Sequence, residues 1–350
     1  MNNQTFIADF LTRNDYNNVI VSERLVAPIV YLVILLLIGV PGNIFVLIIY
    51  KNYNKHVYRK IIWTIAVIDL VFCLIGIPFN LGRMFNYYNF NSLRSCQIVA
   101  GILDSGIITS SHLLVLLTIH RFQKVCLPLK RQITLKNVPY FIGLCCAIGV
   151  ALGIPQIAVL QPHAETDLGN NVTGYTCSVA WKDSPQAWKN YNTFLTFLFL
   201  SYTLLLFILY IMIGRTVHNQ NKKRKLDLHS SRSGRLTIHS HKMTKIAITV
   251  SAVFAFTKCS YLPLYLNEWA TKGLDEKQLG LFSFSLLKIV QRSYLINHVA
   301  NPFVYAIFDK RFRQQTVNIL TCKTTDKDHD KRPSETESST QKASTSATAL

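Results

Sequence analysis

The sequence is poor in acidic residues: its 350 residues include 18 Asp and Glu against 37 Lys and Arg, which gives a formal net charge of +19. Half of the residues are nevertheless hydrophobic. A single soluble domain rarely combines such a charge with so much hydrophobic sequence. Basic faces interleaved with aromatic residues are also missing, so we expect no nucleic-acid partner.

Two further absences bear on processing and metal binding. Residues 1–24 are polar and lack the apolar stretch of a cleavable signal peptide, so we expect them to remain as an N-terminal segment. No two cysteines are spaced as CxxC, so no zinc site is predicted.

Long apolar stretches are what the sequence does contain. Residues 25–50 carry no charge and exceed the roughly 20 residues that a helix needs to cross a bilayer. Six more apolar stretches follow, separated by short polar joints, at about 61–82, 97–120, 138–160, 191–214, 243–266 and 281–308. The sequence therefore predicts an all-α integral membrane protein with a seven-transmembrane helix bundle over residues 25–308.

The basic residues indicate how the bundle is oriented. The joints after spans one, three and five and the segment after span seven hold 4, 5, 9 and 3 Lys and Arg residues, whereas the other four segments hold two each. Short cytoplasmic loops carry the excess of Lys and Arg. We therefore expect a multi-pass protein of the plasma membrane, with its N-terminus outside and its C-terminus in the cytoplasm.

Candidate modification sites agree with this orientation. The Asn-x-Ser/Thr acceptors Asn3 and Asn171 lie on the predicted outer side and predict a glycoprotein. Cys96 and Cys177 lie in the first and second outer joints, where oxidation is permitted, so a disulfide between them is expected. Cys322, just past the last amphipathic stretch, is a candidate for palmitoylation.

Several residues inside the spans stand in recognisable motifs. These are Gly42-Asn43 in span one, Asp69 in span two, Arg121 at the inner end of span three, Tyr210 in span five, Pro263 in span six and Asn301-Pro302-x-x-Tyr305 in span seven. With the two outer cysteines they follow one another at compatible spacings over residues 25–313. On these residues the chain resembles a rhodopsin-like (class A) G-protein-coupled receptor of the peptide-receptor type.

The resemblance implies how the inner half would work. On activation, Tyr305 would move inward near Tyr210 and Arg121 would be released towards a heterotrimeric G protein. Proline costs roughly 3 kcal/mol in a helix interior, but neighbouring helices can satisfy the backbone groups that it frees. The residues implied in activation and coupling are His120, Arg121, Phe122, Tyr210, Pro263, Asn301, Pro302 and Tyr305.

The segments after the bundle have expected roles as well. Residues 309–321 would form a short amphipathic eighth helix on the membrane lipid, and residues 322–350 a disordered cytoplasmic tail. The Ser and Thr residues of this tail are candidate substrates of a receptor kinase and would then engage arrestin.

The resemblance further implies an allosteric sodium ion and no other cofactor. Its ligands would be Asp69, Ser110, Asn297 and Asn301, a carboxylate and neutral oxygens that suit a hard cation. A network of polar groups and water without an ion is the alternative.

The sequence departs from the family pattern near the motifs. His120 stands where an acidic residue usually pairs with the arginine of span three, so we expect a less stable resting state. A neutral histidine that is tolerated without consequence is the alternative. Span six has Tyr261 where Trp is usual before Pro263. A decoy receptor that binds a ligand without signalling is therefore a competing interpretation.

The predicted ligand is a neuropeptide. The second outer joint is long and tethered, and span seven presents two basic residues four apart on one face. The candidate ligand-binding residues are Asp104, Tyr261, Tyr265, Lys288 and Arg292, with Arg292 paired to Asp104. An amine or lipid receptor is the alternative within the class, and a transporter or channel the alternative outside it. No catalytic set is present at one depth, so no enzyme activity is expected.

Overall fold

The computed structural model describes residues 11–51, 56–159, 163–169, 171–177, 185–226, 244–257 and 276–321. Helices dominate these residues: α1 (Arg13–Arg24), α2 (Val26–Lys51), α3 (Val57–Val71), α4 (Ile77–Phe85), α5 (Leu93–Cys126), α6 (Val138–Val159), α7 (Gln186–Leu226), α8 (Thr244–Thr257), α9 (Leu281–Val290), α10 (Tyr294–Phe308) and α11 (Lys310–Leu320). Strands β1 (His163–Asp167) and β2 (Thr173–Cys177) form an antiparallel hairpin.

The long helices have the length and composition of membrane spans. Within the described residues, five helical stretches are long and apolar enough to cross a bilayer: Val26–Lys51, Val57–Phe85, Arg94–Cys126, Val138–Pro155 and Gln186–Gln220. The shorter apolar helices α8 and α9 fall within predicted spans six and seven. Large apolar side chains such as Leu37 and Phe207 are exposed, 68% and 63% respectively. A surface of this kind is expected of helices that face lipid.

Helix α1 lies in the segment that the sequence analysis describes only as polar. Its first turn is closed by a capping box, in which Thr12 and Asp15 bond each other's backbone N–H groups. The hydrogen bonds from Thr12 hold the pKa of Asp15 below its ordinary value. Asn17 and Ile20 are buried, so α1 is packed onto the bundle.

Asn17 joins α1 to the first outer loop. Its Nδ2 donates to the carbonyl of Phe85 at 2.9 Å, and its Oδ1 accepts from the backbone N–H of Tyr88 at 3.0 Å. At the far end of the helix, the carbonyl of Arg24 accepts from the Ser285 hydroxyl at 2.7 Å. The N-terminal helix therefore bridges the outer ends of spans two and seven.

Span two contains one wide helical turn that the sequence analysis does not predict. Residues Phe72–Gly76 form a π-helical turn, and the N–H of Ile77 donates to the carbonyl of Phe72 five residues earlier. Pro78 follows directly and has no N–H of its own. Such π-helical turns are rare and mostly occur singly within α-helices. Phe72 is the first residue of this one.

Spans three and four pack closely because span four has small residues at the contact. A Cβ atom added at Gly149 would lie 2.0 Å from the Thr109 hydroxyl, and one added at Gly153 would lie 1.9 Å from the Ser105 hydroxyl. Gly149 and Gly153 are four residues apart, the small-xxx-small spacing of membrane helix interfaces. This close contact fixes span three, which carries Ser110 and Arg121.

Span seven is interrupted, but not at Pro302. The break comes at residues 291–293, where the N–H groups of Arg292 and Ser293 bond to carbonyls three residues earlier. Helix α10 then runs without interruption through Pro302. Proline leaves the carbonyl four residues before it without its helical donor. That carbonyl belongs to His298 and accepts from Nδ2 of Asn43 at 2.9 Å. A side chain of span one therefore satisfies the backbone group that Pro302 frees.

The docking of α1 can be tested at Asn17. We expect Asn17→Ala to release α1, because the substitution leaves a carbonyl and an N–H of the first outer loop unpaired, at a cost of about 1–3 kcal/mol. Amide hydrogen exchange should then rise by about tenfold or more in residues 13–24. Asn18→Ala is the matched control, since Asn18 is exposed on the same helix. Equal exchange in the two variants would contradict the bridging role.

Candidate functional site

The outer end of the bundle is covered by the β hairpin. The disulfide Cys96–Cys177 is present and joins the end of β2 to α5, which confirms the predicted bridge. The first outer loop adds to the hairpin: the N–H of Tyr175 donates to the carbonyl of Tyr88 at 2.8 Å, and Phe90 donates back to Tyr175 at 3.0 Å. The hairpin is thus held to span three by a covalent bond and to the first outer loop by backbone hydrogen bonds.

The glycosylation candidate Asn171 lies in the turn of this hairpin. It has a positive φ of 60° and is exposed. Its exposure is compatible with modification, which stays a prediction. Asn3 lies outside the described residues.

Below the hairpin lies a group of charged side chains that we call the outer charged cluster: Arg83, Glu276, Lys288 and Arg292. Lys288 Nζ is 2.7 Å from both carboxylate oxygens of Glu276, and the Tyr87 hydroxyl donates to Glu276 at 2.9 Å. Burial tends to raise the pKa of Glu276, but the charge and hydrogen bond of Lys288 hold it below its ordinary value. Glu276 is therefore ionised and supplies the counter-charge of Lys288.

Arg292 is a second buried cation of the cluster. It is 6% exposed, its Nη1 donates to the Lys288 carbonyl at 2.9 Å, and its Nε has no hydrogen-bond partner among the described residues. Arg83 donates to the carbonyl of Cys177 at the hairpin. Counted over the described residues, the cluster has three cations and one carboxylate.

The turn at residues 291–293 explains why Arg292 enters the bundle. The carbonyl of Arg292 accepts a hydrogen bond from the Tyr31 hydroxyl of span one at 3.2 Å, and this bond holds the turn in place. Asp104 lies on α5 and is partly buried. Its pairing with Arg292 stays a prediction, and Tyr261 and Tyr265 lie outside the described residues.

The middle of the bundle contains a second group, the polar core, around Asp69. Asp69 is completely buried, and both of its carboxylate oxygens have partners. Oδ2 accepts from Asn301 Nδ2 at 2.7 Å, and Oδ1 is 2.8 Å from Nδ1 of His298. The hydroxyl of Ser110 and Oδ1 of Asn297 are buried without a hydrogen-bond partner among the described residues.

These contacts can be compared with the needs of the expected sodium ion. A hard cation is held chiefly by a carboxylate and neutral oxygens. Ser110 and Asn297 have oxygens to offer, but the carboxylate already makes two contacts and Asn301 turns its nitrogen towards Asp69. The described arrangement therefore does not fit the expected ion, and sodium stays an untested prediction.

His298 is the polar-core residue that the sequence analysis missed. A histidine three residues before Asn301, in an otherwise apolar span, is a visible signal, since ionisable residues in spans usually have a specific partner. What the sequence did not reveal is that its ring reaches Asp69 and stacks on Phe72, with ring centroids 3.9 Å apart.

At the inner end, Arg121 packs against an aromatic ring. Its guanidinium carbon is 4.6 Å from the centroid of the Tyr58 ring, and its Nη2 has no hydrogen-bond partner among the described residues. The adjacent His120 is buried, and its Nδ1 likewise has no partner there. Phe122 is partly buried beside them. The cation–π contact is the interaction that the structure shows for Arg121.

Tyr210 is bound to two neighbouring spans. Its hydroxyl is 2.8 Å from Thr118 Oγ1 on span three and 3.0 Å from Ser251 Oγ on span six. Tyr305 is buried and instead packs edge-on against Tyr50 of span one, with ring centroids 5.7 Å apart. The two tyrosines that the resemblance brings together on activation thus have separate partners here.

Helix α11 continues this contact at the inner surface. Phe312 is buried and stacks on Tyr50, and Asp309 accepts hydrogen bonds from the N–H groups of Arg311 and Phe312. Val317 and Leu320 are exposed, 54% and 66% respectively, as expected of a helix lying against lipid. The remaining candidates Pro263 and Cys322 lie outside the described residues.

Comparison with known proteins connects these features to one family. The sequence model described as "7 transmembrane receptor (rhodopsin family)" matches residues 42–305. Neuropeptide FF receptor 2 of Mus musculus is 23% identical over 301 residues, 81% of this chain and 69% of the relative. The match to the family model confirms the predicted fold class.

Two further relatives match shorter stretches. The RYamide receptor of Drosophila melanogaster is 25% identical over 222 residues, 61% of this chain and 45% of the relative. The Pyroglutamylated RF-amide peptide receptor of Mus musculus is 24% identical over 238 residues, 64% of this chain and 53% of the relative.

Removing either partner of the Glu276–Lys288 ion pair should lower the stability of the protein by different amounts. Glu276→Gln should lower the free energy of unfolding by about 1–3 kcal/mol, because it leaves the buried Lys288 without its carboxylate, while Glu276 itself is partly solvated. Lys288→Met should cost less, since the remaining carboxylate is 34% exposed and can be hydrated. Thermal unfolding of the purified protein measures both. A larger loss for Lys288→Met would contradict this account of the pair.

Proposed function

This chain belongs to the rhodopsin family of seven-transmembrane receptors, and we propose that it binds a peptide at its outer end and activates a heterotrimeric G protein at its inner end. The observation that carries the first part is the outer charged cluster beneath the disulfide-tethered hairpin. The peptide-receptor names of three relatives support it. The distribution of Lys and Arg supports a plasma-membrane receptor with its N-terminus outside.

The cluster also supports a specific feature of the ligand. Buried cations are stable only when they are paired and hydrogen-bonded. Among the described residues, Glu276 is the one carboxylate of the cluster and is already bound by Lys288, whereas Arg292 Nε has no partner. A carboxylate of the peptide, at its C-terminus or on a side chain, would supply that partner. Asp104, Tyr261 and Tyr265 are proposed as further contacts.

The inner end supports coupling to a G protein. Arg121, held by Tyr58, lies where the resemblance requires a residue that is released on activation. Arrestin and a receptor kinase are proposed partners of the tail, and membrane lipid is the proposed partner of α11. A decoy receptor would bind the peptide and leave the G protein unaffected.

A peptide screen tests the function. Cells that express the chain with a promiscuous G protein as reporter are exposed to a neuropeptide library, and an Arg121→Ala variant serves as the signalling control. A peptide that triggers the reporter in the wild type but only binds to the variant supports the proposal. Binding without a response in both would indicate a decoy, and no binding from the whole library would contradict a peptide receptor.

Arg292 should determine the potency of any peptide found in this screen. We expect Arg292→Gln to lower potency by about 10- to 100-fold, because it removes a charge-assisted hydrogen bond worth about 1.5–3 kcal/mol. Arg94→Gln is the matched control, since Arg94 is exposed at the same end of the bundle. Replacing the carboxylate of the peptide by an amide should reproduce the loss in the wild type and add nothing in Arg292→Gln.

His120 should control the basal activity. We expect His120→Asp to lower basal nucleotide exchange on a coupled G protein about two- to fivefold, since an ion pair with Arg121 worth about 0.5–1 kcal/mol would stabilise the resting state. His120→Asn, similar in size to aspartate but neutral, is the control and should leave the exchange unchanged. Unchanged exchange in His120→Asp would show that the missing acid has no consequence here.

A further inference from the structure

His298 lies against the carboxylate that the resemblance assigns to a sodium ion. Its Nδ1 is 2.8 Å from Oδ1 of Asp69, and the side chains of the two residues are 2% and 0% exposed. Asn301 Nδ2 donates to the other oxygen of Asp69 at 2.7 Å. Each oxygen of this buried carboxylate therefore faces a nitrogen of span seven.

The position of the His298 ring is fixed by its surroundings. The ring is stacked on Phe72, with centroids 3.9 Å apart and planes inclined by 12°. Phe72 begins the π-helical turn of span two. Room for its ring comes from Gly106, where a Cβ atom would lie 2.4 Å from Cε2 of Phe72. Gly106 on span three thus leaves room for the Phe72 ring, and that ring is stacked on His298 beside Asp69.

We propose that His298 takes the place of sodium as the partner of Asp69, so that the polar core of this protein does not bind the ion. The hydrogen shared by Nδ1 and Oδ1 takes one of the two lone pairs of Oδ1, whichever atom carries it. The amide of Asn301 donates to Oδ2, so each oxygen has one site less for a cation.

The two remaining candidate ligands do not make up for the carboxylate sites that His298 and Asn301 take. Ser110 and Asn297 offer one neutral oxygen each, and neither has a hydrogen-bond partner among the described residues. Neutral oxygens without a carboxylate are weak ligands for a hard cation, whereas a buried water is held by such groups. A bond within the protein therefore stabilises the polar core in place of an ion from the medium.

Thermal unfolding of the purified receptor tests this proposal without any peptide, so its outcome is independent of the proposed ligand. Sodium chloride is exchanged for N-methylglucamine chloride at constant ionic strength, and the unfolding midpoint is recorded. A ligand that binds the folded state raises the midpoint. We expect no sodium-specific shift for the wild type and a rise of about 2–4 °C for His298→Ser, which frees Asp69 and adds a neutral oxygen.

Two control variants show where sodium acts. Asp69→Asn combined with His298→Ser should lose the shift, because the carboxylate is gone. His112→Ser should show no shift, since it removes a histidine that bonds Tyr202 and the carbonyl of Ile108 rather than Asp69.

Each outcome decides the proposal. A sodium shift in the wild type, or none in His298→Ser, would overturn it, and the predicted pattern over all four proteins would support it. Should His298→Ser not fold, the ²³Na line width is compared between the wild type and Asp69→Asn. Equal line widths support the proposal, and excess broadening by the wild type refutes it.

Discussion

Pro302 imposes the constraint on which the middle of this bundle depends. A proline inside a span leaves one carbonyl without its helical donor, and in lipid such a group costs several kcal/mol unless another donor replaces it. Asn43 of span one donates to that carbonyl on His298, while the side chains of His298 and Asn301 reach Asp69 on span two. The residues around the proline are thereby joined to two other spans, and α10 continues without a break.

Both ends of span seven depend on this attachment. Towards the inside, Tyr305 follows Pro302 by one turn and packs with Tyr50 and Phe312, so the polar core and α11 are joined through one aromatic group. Towards the outside, the turn at residues 291–293 separates α10 from α9 and places Arg292 in the outer charged cluster. A ligand group bound to Arg292 would therefore act on a segment directly continuous with the polar core.

The sequence was sufficient for features that rest on composition and on single residues. The spans were predicted from the length of the apolar stretches. The Cys96–Cys177 bridge was predicted because both cysteines lie on the outer side of the membrane, where oxidation is permitted. The capping box of Thr12 and Asp15 was not predicted, because residues 1–24 were interpreted only from their polar composition. The wide turn Phe72–Gly76 was not predictable, because Pro78 permits either a kink or a π turn and packing decides between them. The contact between His298 and Asp69 joins residues of two spans that are far apart in the sequence, so it needed the structure.

Among the described residues, the inner ends of the helices are held together by a cation–π contact and by hydrogen bonds between hydroxyl groups. Arg121 has the ring of Tyr58 as its observed partner, and the hydroxyl of Tyr210 is shared between Thr118 and Ser251. A cation–π contact contributes about 0.5–2 kcal/mol, and a neutral hydrogen bond contributes about 0.5–1.5 kcal/mol. Several such contacts, spread over spans two, three, five and six, can together match one ion pair. Because they are short-ranged and largely buried, they restrain the inner ends of the helices only while these remain packed.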